Sequence, residues 1–481
     1  MKNDILFFNP PQTKKGDCLG NGALLWLASY LKRKKFSAKV FYLDGDFRTT
    51  IAKVIGDYNP KYVAVSCKWY TNLYGAILVA REIKKNNKTI KIITGGNTAN
   101  YFDEELLRQG DFDIVIRGDA EVPLLNILTN KLPINCTVKE KGIIKRHKLQ
   151  YVQRQNEIKG YTLVPPEEIL EHPKDVLSGI NFIWTGKGCT QKCFYCGGSS
   201  TLQEKLFHRK GVLYRPVEDV IADINILTKY SKSLMFDFTC FPRADEYYAH
   251  LFRNISQGKF KMQFHHWRLP SKKIIDQMSR TFKSALIYFD TSTLCEELRK
   301  SLSARKLLKT FFSNKELENI IGYCNTKRNM TVGLWNISGL PGERSNHVKE
   351  HTRFSRYLIQ KYPVVTDIQC FPLSIEPGAI LQRHSSRFNM QCRRNSFMDF
   401  LHLTKKAFNS DITYPFSEFF RKGGCKNRSF HPYGIYEKGL DPRNSYLKVG
   451  KFIKAVERLL QINRRLYSAV FRLSSQMVIH K

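Results

Sequence analysis

Three cysteines within eight residues, Cys189, Cys193 and Cys196, constrain this chain more than any other feature. Their C-x3-C-x2-C spacing lets one loop wrap a soft metal centre, because thiolates select zinc, copper(I) or iron–sulfur. A structural zinc site closes with four ligands, yet no fourth Cys or paired His lies nearby, His208 being the nearest candidate. Three thiolates on a four-iron cluster would leave one iron open to a substrate or cofactor. A zinc knuckle and three unrelated thiols are the competing readings of the motif alone. Residues 181–184 read as a β-strand feeding the loop, and Gly197 and Gly198 follow its last thiol.

The totals bound what surrounds this loop. A chain of 481 residues is long for one domain and suggests about two to four. Twelve cysteines are too sparse for a disulfide scaffold, and their clustering argues for metal chemistry in a reducing compartment. The apolar run at residues 5–8 is too short for a signal peptide or a membrane span, so a cytoplasmic protein is expected. The formal charge of +36 favours anionic partners. Basic residues are spread along the chain, however, as solvated lysine-rich faces would also be.

The first 145 residues alternate strand and helix. Apolar strands at 5–8, 39–43, 62–66, 90–94 and 113–116 are separated by amphipathic segments at 22–31, 51–55 and 74–85. Continuous apolar strands between helices predict an α/β domain with a doubly wound, Rossmann-like parallel sheet. Ligands of such sheets bind at the carboxyl ends of the strands. Polar residues 146–178, with Pro165, Pro166 and Pro173, read as a linker. From 179 to 385 six strand-then-helix units recur, at 181–184, 233–238, 261–266, 284–289, 330–335 and 367–371. Asp237, His265, His266, Asp290, Ser292 and the turn from Ile337 to Glu343 fall at or just past strand ends, where barrels of this type place their chemistry. His265 and His266 suit a general base or substrate contact, or an ordinary hydrogen-bonding pair. Residues 386–481 are basic and aromatic, with helical apolar spacing over 449–471. Cys370, Cys392 and Cys425 lack the close pairing of a second cluster.

With Tyr195 ahead of the last Cys, the cysteine loop resembles the cluster motif of the radical SAM enzymes. That resemblance implies a [4Fe–4S] cluster on Cys189, Cys193 and Cys196, with S-adenosylmethionine chelated on the open iron. It places Tyr195, Gly197 and Gly198 among the cofactor-binding residues and implies a partial (β/α)6 TIM-type barrel over 179–385. The turn I-x-G-x-P-G-E would pack the adenine through Ile337 and Gly339, with Glu343 closing the motif. Asp290 and Ser292 would hold the ribose or methionyl part, although Phe289 to Thr293 departs from the usual G-[IV]-E-S-G.

The first domain is similar to the cobalamin-binding fold, whose loop signature is D-x-H-x-x-G, with a Ser and a Gly-Gly after later strands. Asp17 and Gly22 match, Ser66 stands at the second position, and Gly95 and Gly96 at the third. Leu19 replaces the cobalt-ligating His, so a bound cobalamin would lack a protein His as lower ligand. Glycine suits such a site because it removes the Cβ that blocks close backbone approach. A Rossmann-like domain that has lost its ligand is the alternative. The family resemblance covers roughly residues 1–385 and implies a cobalamin-dependent radical SAM enzyme, most often a methyltransferase. It would cleave S-adenosylmethionine reductively to a 5′-deoxyadenosyl radical and methylate an unactivated carbon. Its expected partners are a small-molecule or peptide substrate of anionic character and an electron donor such as flavodoxin or ferredoxin; nucleic acid is less favoured. Relatives that perform cyclisation, rearrangement or oxidation share these motifs. The tRNA methylthiotransferases are also similar in layout, but they carry a second three-Cys cluster, for which Cys18 and Cys67 offer only two thiols. The region 386–481 is expected to cap the barrel.

Overall fold

The computed structural model describes residues 4–13, 22–239, 243–308, 311–388, 390, 392, 395–409 and 434–435. Asp17, Cys18, Leu19, Cys425 and the expected helix at 449–471 lie outside the described residues.

The N-terminal half runs β1 (Ile5–Asn9), α1 (Gly22–Arg33), β2 (Ala38–Tyr42), α2 (Phe47–Tyr58), β3 (Tyr62–Ser66), α3 (Leu73–Asn86), β4 (Lys91–Gly95), α4 (Asn97–Tyr101), α5 (Asp103–Gln109), β5 (Ile114–Ile116), α6 (Glu121–Leu128), β6 (Cys136–Glu140) and β7 (Ile143–Arg146). Its sheet has the order β2-β1-β3-β4-β5-β6-β7. The first five strands are parallel, and β6 and β7 add antiparallel. The order reverses between β1 and β3, which opens a crevice at their carboxyl ends. Both faces are covered. Helices α1 and α6 pack on one side, while α2, α3 and α5 pack on the other. The hairpin β6–β7 was not anticipated. Its turn, Lys141-Gly142, has positive φ at both positions, 48° and 83°, as a type I′ turn requires.

Between the sheets, residues 146–178 hold buried Ile158, Tyr161, Leu163, Val164, Ile169 and Leu170 and the short helix α7 (Pro173–Leu177). Then follow β8 (Asn181–Phe182), β9 (Gly186–Gly188), α8 (Ser200–Phe207), β10 (Val212–Tyr214), α9 (Val217–Leu227), β11 (Ser233–Phe236), α10 (Ala244–Arg253), β12 (Lys261–His266), α11 (Lys272–Thr281), β13 (Ser284–Ser292), α12 (Glu296–Ala304), α13 (Asn314–Asn325), β14 (Met330–Ser338), α14 (Ser345–Lys361), β15 (Val365–Pro372), α15 (Ile380–Arg383), α16 (Phe397–Asn409) and β16 (Gly434–Ile435). Six parallel strands, β8 and β11 to β15, stand side by side in chain order, and β16 joins β15 antiparallel. No closure of this sheet occurs among the described residues. β8 is shorter than the expected 181–184 because the Trp184 carbonyl accepts from Arg215 Nη1 at 2.7 Å instead of continuing the ladder.

Local chemistry explains several boundaries. Ser313 and Glu316 form a reciprocal capping box at the start of α13, with bonds of 3.1 and 2.7 Å. Ser271 accepts from the Ile274 N–H to start α11. In β13 the residues Ala285, Ile287 and Phe289 are buried against the helices, and the alternate residues Leu286, Tyr288 and Asp290 are half-buried on the opposite face. Helix α16, the described helix of the C-terminal region, packs Phe397, Phe400 and Phe408 on Phe102 and Tyr74 of the first domain. No helix among the described residues is long and apolar enough to cross a membrane.

Candidate active site between the two sheets

The carboxyl ends of the first sheet open on a cavity of about 500 Å³. Ser66 ends β3 and Gly95 ends β4, with Gly96 next to it and Gly22 at the start of α1; all four line the cavity. Glycine is required at 96: φ is +118°, and a Cβ would stand 2.6 Å from the Lys68 Cα. Phe7, Ala64, Ile93 and Leu124 form an apolar wall, while Tyr161, Trp184 and Phe238 close the cavity from the second half of the chain.

Buried ion pairs hold the two halves together around this space. Asp119 pairs with Arg209 and, at 3.5 Å, with Lys187, which also pairs with Glu121. Although burial opposes it, Lys187 and Arg209 hold the Asp119 carboxyl below its ordinary value. Deeper still, Arg215 and Asp223 meet at 2.7 Å with both side chains fully buried. Asp223 also accepts from Trp26 Nε1 at 2.8 Å and from the Leu163 N–H at 2.7 Å, and the guanidinium lies 4.8 Å over Trp184. A buried pair of this kind is held by its additional hydrogen bonds as much as by charge.

The cysteine loop lies across the same interface. Cys189 and Cys193 are buried, and Cys196 is partly exposed. The Gly198 N–H donates to Cys196 Sγ at 3.3 Å, and the Gln191 N–H to Cys189 Sγ at 3.3 Å, as thiolate ligands would use. Burial, then the charges of Glu376 and Cys193, push the Cys196 thiol well up. Among the described residues no three His, Cys, Asp or Glu side chains converge on a single ion.

Residues far apart in the chain meet this loop. The Gly197 N–H donates to Glu376 Oε2 at 2.5 Å, and burial pushes the Glu376 carboxyl up to about 7. A methyl group on Gly198 would stand 3.4 Å from Asn97 Nδ2 and 3.8 Å from Trp69, so the loop after the last thiol abuts the loop after Gly96. Tyr195 is half-buried against the apolar cluster around Phe194, and its hydroxyl is raised by loss of water and by the charges of Cys193 and Asp290. Ser292 adopts a positive φ of 58°, and its hydroxyl lies 3.4 Å from Asp290 Oδ1. In the turn after β14, the Gly339 N–H donates to Glu343 Oε2 at 2.6 Å, and burial raises that carboxyl to about 7. Glu343 thus ties the turn closed, while Ile337 is half-buried against the apolar cluster around Phe194.

Sequence reasoning overlooked Lys68, Lys187, Arg209, Arg215 and Glu376. Lys68 and Asp237 line the cavity from opposite halves of the chain. Lys68 is exposed and Asp237 half-buried by surface area, yet crowding at the cavity wall lowers the Lys68 ammonium pKa and raises that of the Asp237 carboxyl; each charge opposes the other's shift. The signal for Lys68 was its place in the loop after a strand, two residues beyond Ser66. His266 is fully buried between Asp245, at 2.8 Å, and the Arg268 carbonyl, as an ordinary structural histidine would be, whereas His265 lies on the opposite face. Cys67 packs in the core away from the cavity, with burial pushing its thiol up to about 12.

Residues 14–128 match the family model of the B12 binding domain. No curated protein matches the sequence. Two solved structures of TsrM from Kitasatospora setae, a radical S-adenosylmethionine methyltransferase, share the fold. The one with cobalamin and a [4Fe-4S] cluster bound is 15% identical over 80% of this chain and 78% of that chain, with a TM-score of 0.65. The one with tryptophan substrate and the SAM analogue aza-SAM bound is 14% identical over 80% and 76%, with a TM-score of 0.63.

Proposed function

We propose that the chain is a cobalamin-dependent radical S-adenosylmethionine enzyme that methylates an unactivated carbon of its substrate. The observation that carries this reading is the meeting of two unlike sites: a three-thiol loop and a B12-type cavity, separated by the contact of Gly198 with Asn97. The likeness to TsrM, a methyltransferase that binds these cofactors, favours methyl transfer over a rearrangement or oxidation.

The residues present fit both groups. Small residues leave space at the strand ends, where a Cβ on Gly96 would stand 2.6 Å from the Lys68 Cα, and Glu121 and Tyr161 face each other on the cavity wall. Cys189, Cys193 and Cys196 would hold the [4Fe–4S] cluster; Ser66, Gly95, Gly96 and Gly22 would line the cobalamin site. When bound, the cluster supplies the electron that cleaves S-adenosylmethionine, and cobalamin supplies the methyl group. The protein binds, orients and excludes water while cofactors carry the difficult chemistry. Glu376 fixes the Gly197 backbone behind the last thiol, Glu343 fixes the turn that would meet the adenine, and Asp290 and Ser292 offer oxygens beside Tyr195. Trp184, Tyr161 and Phe238 line the cavity from the side of the second sheet.

The test is anaerobic reconstitution with iron, sulfide and cobalamin, followed by incubation with S-adenosylmethionine and a reductant such as reduced flavodoxin. Formation of 5′-deoxyadenosine and methylcobalamin is expected. A chain that retains cobalamin but never yields 5′-deoxyadenosine would refute the radical step, and one that forms a cluster but rejects cobalamin would refute methyl transfer.

A further inference from the structure

Phe194, between Cys193 and Cys196, gathers two distant segments of chain against the cysteine loop. The residue is fully buried. Its N–H donates to the Leu307 carbonyl at 3.4 Å, its carbonyl accepts from the Leu381 N–H at 2.8 Å, and its ring stands 5.4 Å from that of Phe388. Residues 187–203, 298–315 and 379–396 therefore meet around one ring. None of the three segments contains an Asp or Glu, in a chain that carries 42 of them, whereas each contains two or more Lys or Arg. Four of these cations stand exposed beside the ring: Lys192, next to Cys193; Arg305 and Lys306, just before Leu307; and Arg387, just before Phe388. Among the described residues none of the four is paired with a carboxylate.

The carboxylates that border these segments are engaged elsewhere. Glu204 pairs with Lys210 at 3.4 Å and Glu297 with His347 at 3.7 Å, Glu316 caps α13, Glu376 accepts from Gly197, and Asp399 accepts from the Asn395 and Ser396 N–H groups. Helix geometry accounts for only part of the collar. α12 ends in a Schellman turn, with the Lys306 N–H on the Ser303 carbonyl at 2.8 Å, the Leu307 N–H on the Leu302 carbonyl at 3.0 Å and Lys306 at a φ of 56°. Cations are favoured at such an end, but Lys192 belongs to no helix and Arg387 only to a single 3₁₀ turn. Because Lys192 is exposed and Cys193 buried, one residue, about 3.8 Å of backbone, separates this surface from a thiol. A field of one sign attracts an oppositely charged partner and speeds its encounter. Residues 410–481, themselves rich in Lys and Arg, carry the wrong sign to cover it.

We propose that this acid-free collar is the docking site of an acidic one-electron carrier protein. The reduced carrier gives up one electron and is oxidised, and the cluster on Cys189, Cys193 and Cys196 takes that electron and is reduced. The inference rests on the iron–sulfur part of the function proposed above. The probe is reduced flavodoxin, an acidic carrier, mixed by stopped flow with cluster-loaded full-length protein in the absence of S-adenosylmethionine, with flavin oxidation as the readout. The rate should fall steeply between low salt and about 1 M, where the screening length is about 3 Å. Arg305→Glu, Lys306→Glu and Arg387→Glu together should slow the low-salt reaction at least about tenfold, with reduction by dithionite unchanged. In the unaltered chain, a water-soluble carbodiimide should join Lys192 or Lys306 to flavodoxin carboxylates, and this is readable even if the triple variant fails to fold. A salt-independent rate, an unaltered rate in the triple variant, equally slowed reduction by dithionite, or cross-links from those lysines only to acids of residues 410–481 would overturn the proposal. Binding of a short RNA that needs the three residues, while flavodoxin oxidation ignores them, would overturn it in favour of a nucleic-acid site. A cluster reduced through the collar in a protein that never yields 5′-deoxyadenosine would sustain this inference and refute the radical step instead.

Discussion

The two parallel sheets meet across one interface, yet they furnish their strand ends differently. The first ends in Ser66, Gly95 and Gly96 around an apolar-walled cavity. The second carries Asp237, Asp290, Trp335 and Gln369 toward its carboxyl ends, with Glu376 hydrogen-bonded to the thiol loop. One surface makes room and the other supplies charge, rings and ligands. A large cofactor that brings its own reactivity needs space and a few hydrogen bonds, whereas a cluster and a sulfonium cofactor need specific atoms at specific places. The ion pairs Asp119–Arg209 and Lys187–Glu121 cross from one half to the other.

The largest effect should come from the chemical side. Replacing Cys189, Cys193 and Cys196 together by Ala should abolish the iron–sulfur absorbance and cut 5′-deoxyadenosine formation by at least about a hundredfold. Cobalamin retention should barely change, because none of the three lines the cavity. Parallel loss of cobalamin would show that the two surfaces are not separable. The reciprocal change, Ser66→Phe, fills the space and should weaken cobalamin binding by about ten- to a hundredfold while leaving the cluster spectrum intact; gel-filtered protein assayed by absorbance decides it.

The interface itself comes next. Arg215→Met leaves the Asp223 carboxyl buried without its cation and should cost about 3–5 kcal/mol in urea unfolding. Adding Asp223→Leu should recover much of that loss, since a buried pair replaced by apolar groups is often neutral. No loss in the single variant would mean that the pair does not support Asp223, the residue on which Trp26 of the first half is hydrogen-bonded.

The smallest effect concerns Glu343. Burial raises its pKa from 4.5 to about 7. The folded state therefore favours the protonated form, and its contribution is complete below about 4.5 and fades as pH rises through about 7. Glu343→Gln should match the parent at low pH and become the more stable above pH 7, by about 3 kcal/mol at most. Identical stability–pH curves would show that the turn tolerates the charge.

Much of this was legible in the residues. Continuous apolar strands specified both parallel sheets, because an element buried on both faces cannot hide its composition. The spacing of the thiols and the small residues after β3 and β4 declared their chemistry locally, since a loop that wraps a metal or admits a backbone must do so with neighbouring residues. Strand ends were less sharp. β13 and β14 extend beyond 289 and 335, to Ser292 and Ser338, because sheet pairing carries polar residues that pattern alone reads as loop. The hairpin β6–β7 was missed although its Lys-Gly turn was in view, and α16 packs on the first domain through aromatic contacts across some 300 residues of chain.

Sequence by itself determined the order of strands and helices, the thiol loop and the glycines, all matters of spacing along the chain. Only the tertiary structure brought Lys68 and Asp237 to one cavity, Glu376 to Gly197 and Asp119 to Arg209. The physical reason is range. Periodicity and ligand spacing act between residues a few positions apart, whereas a buried charge finds its partner through packing that no local pattern encodes.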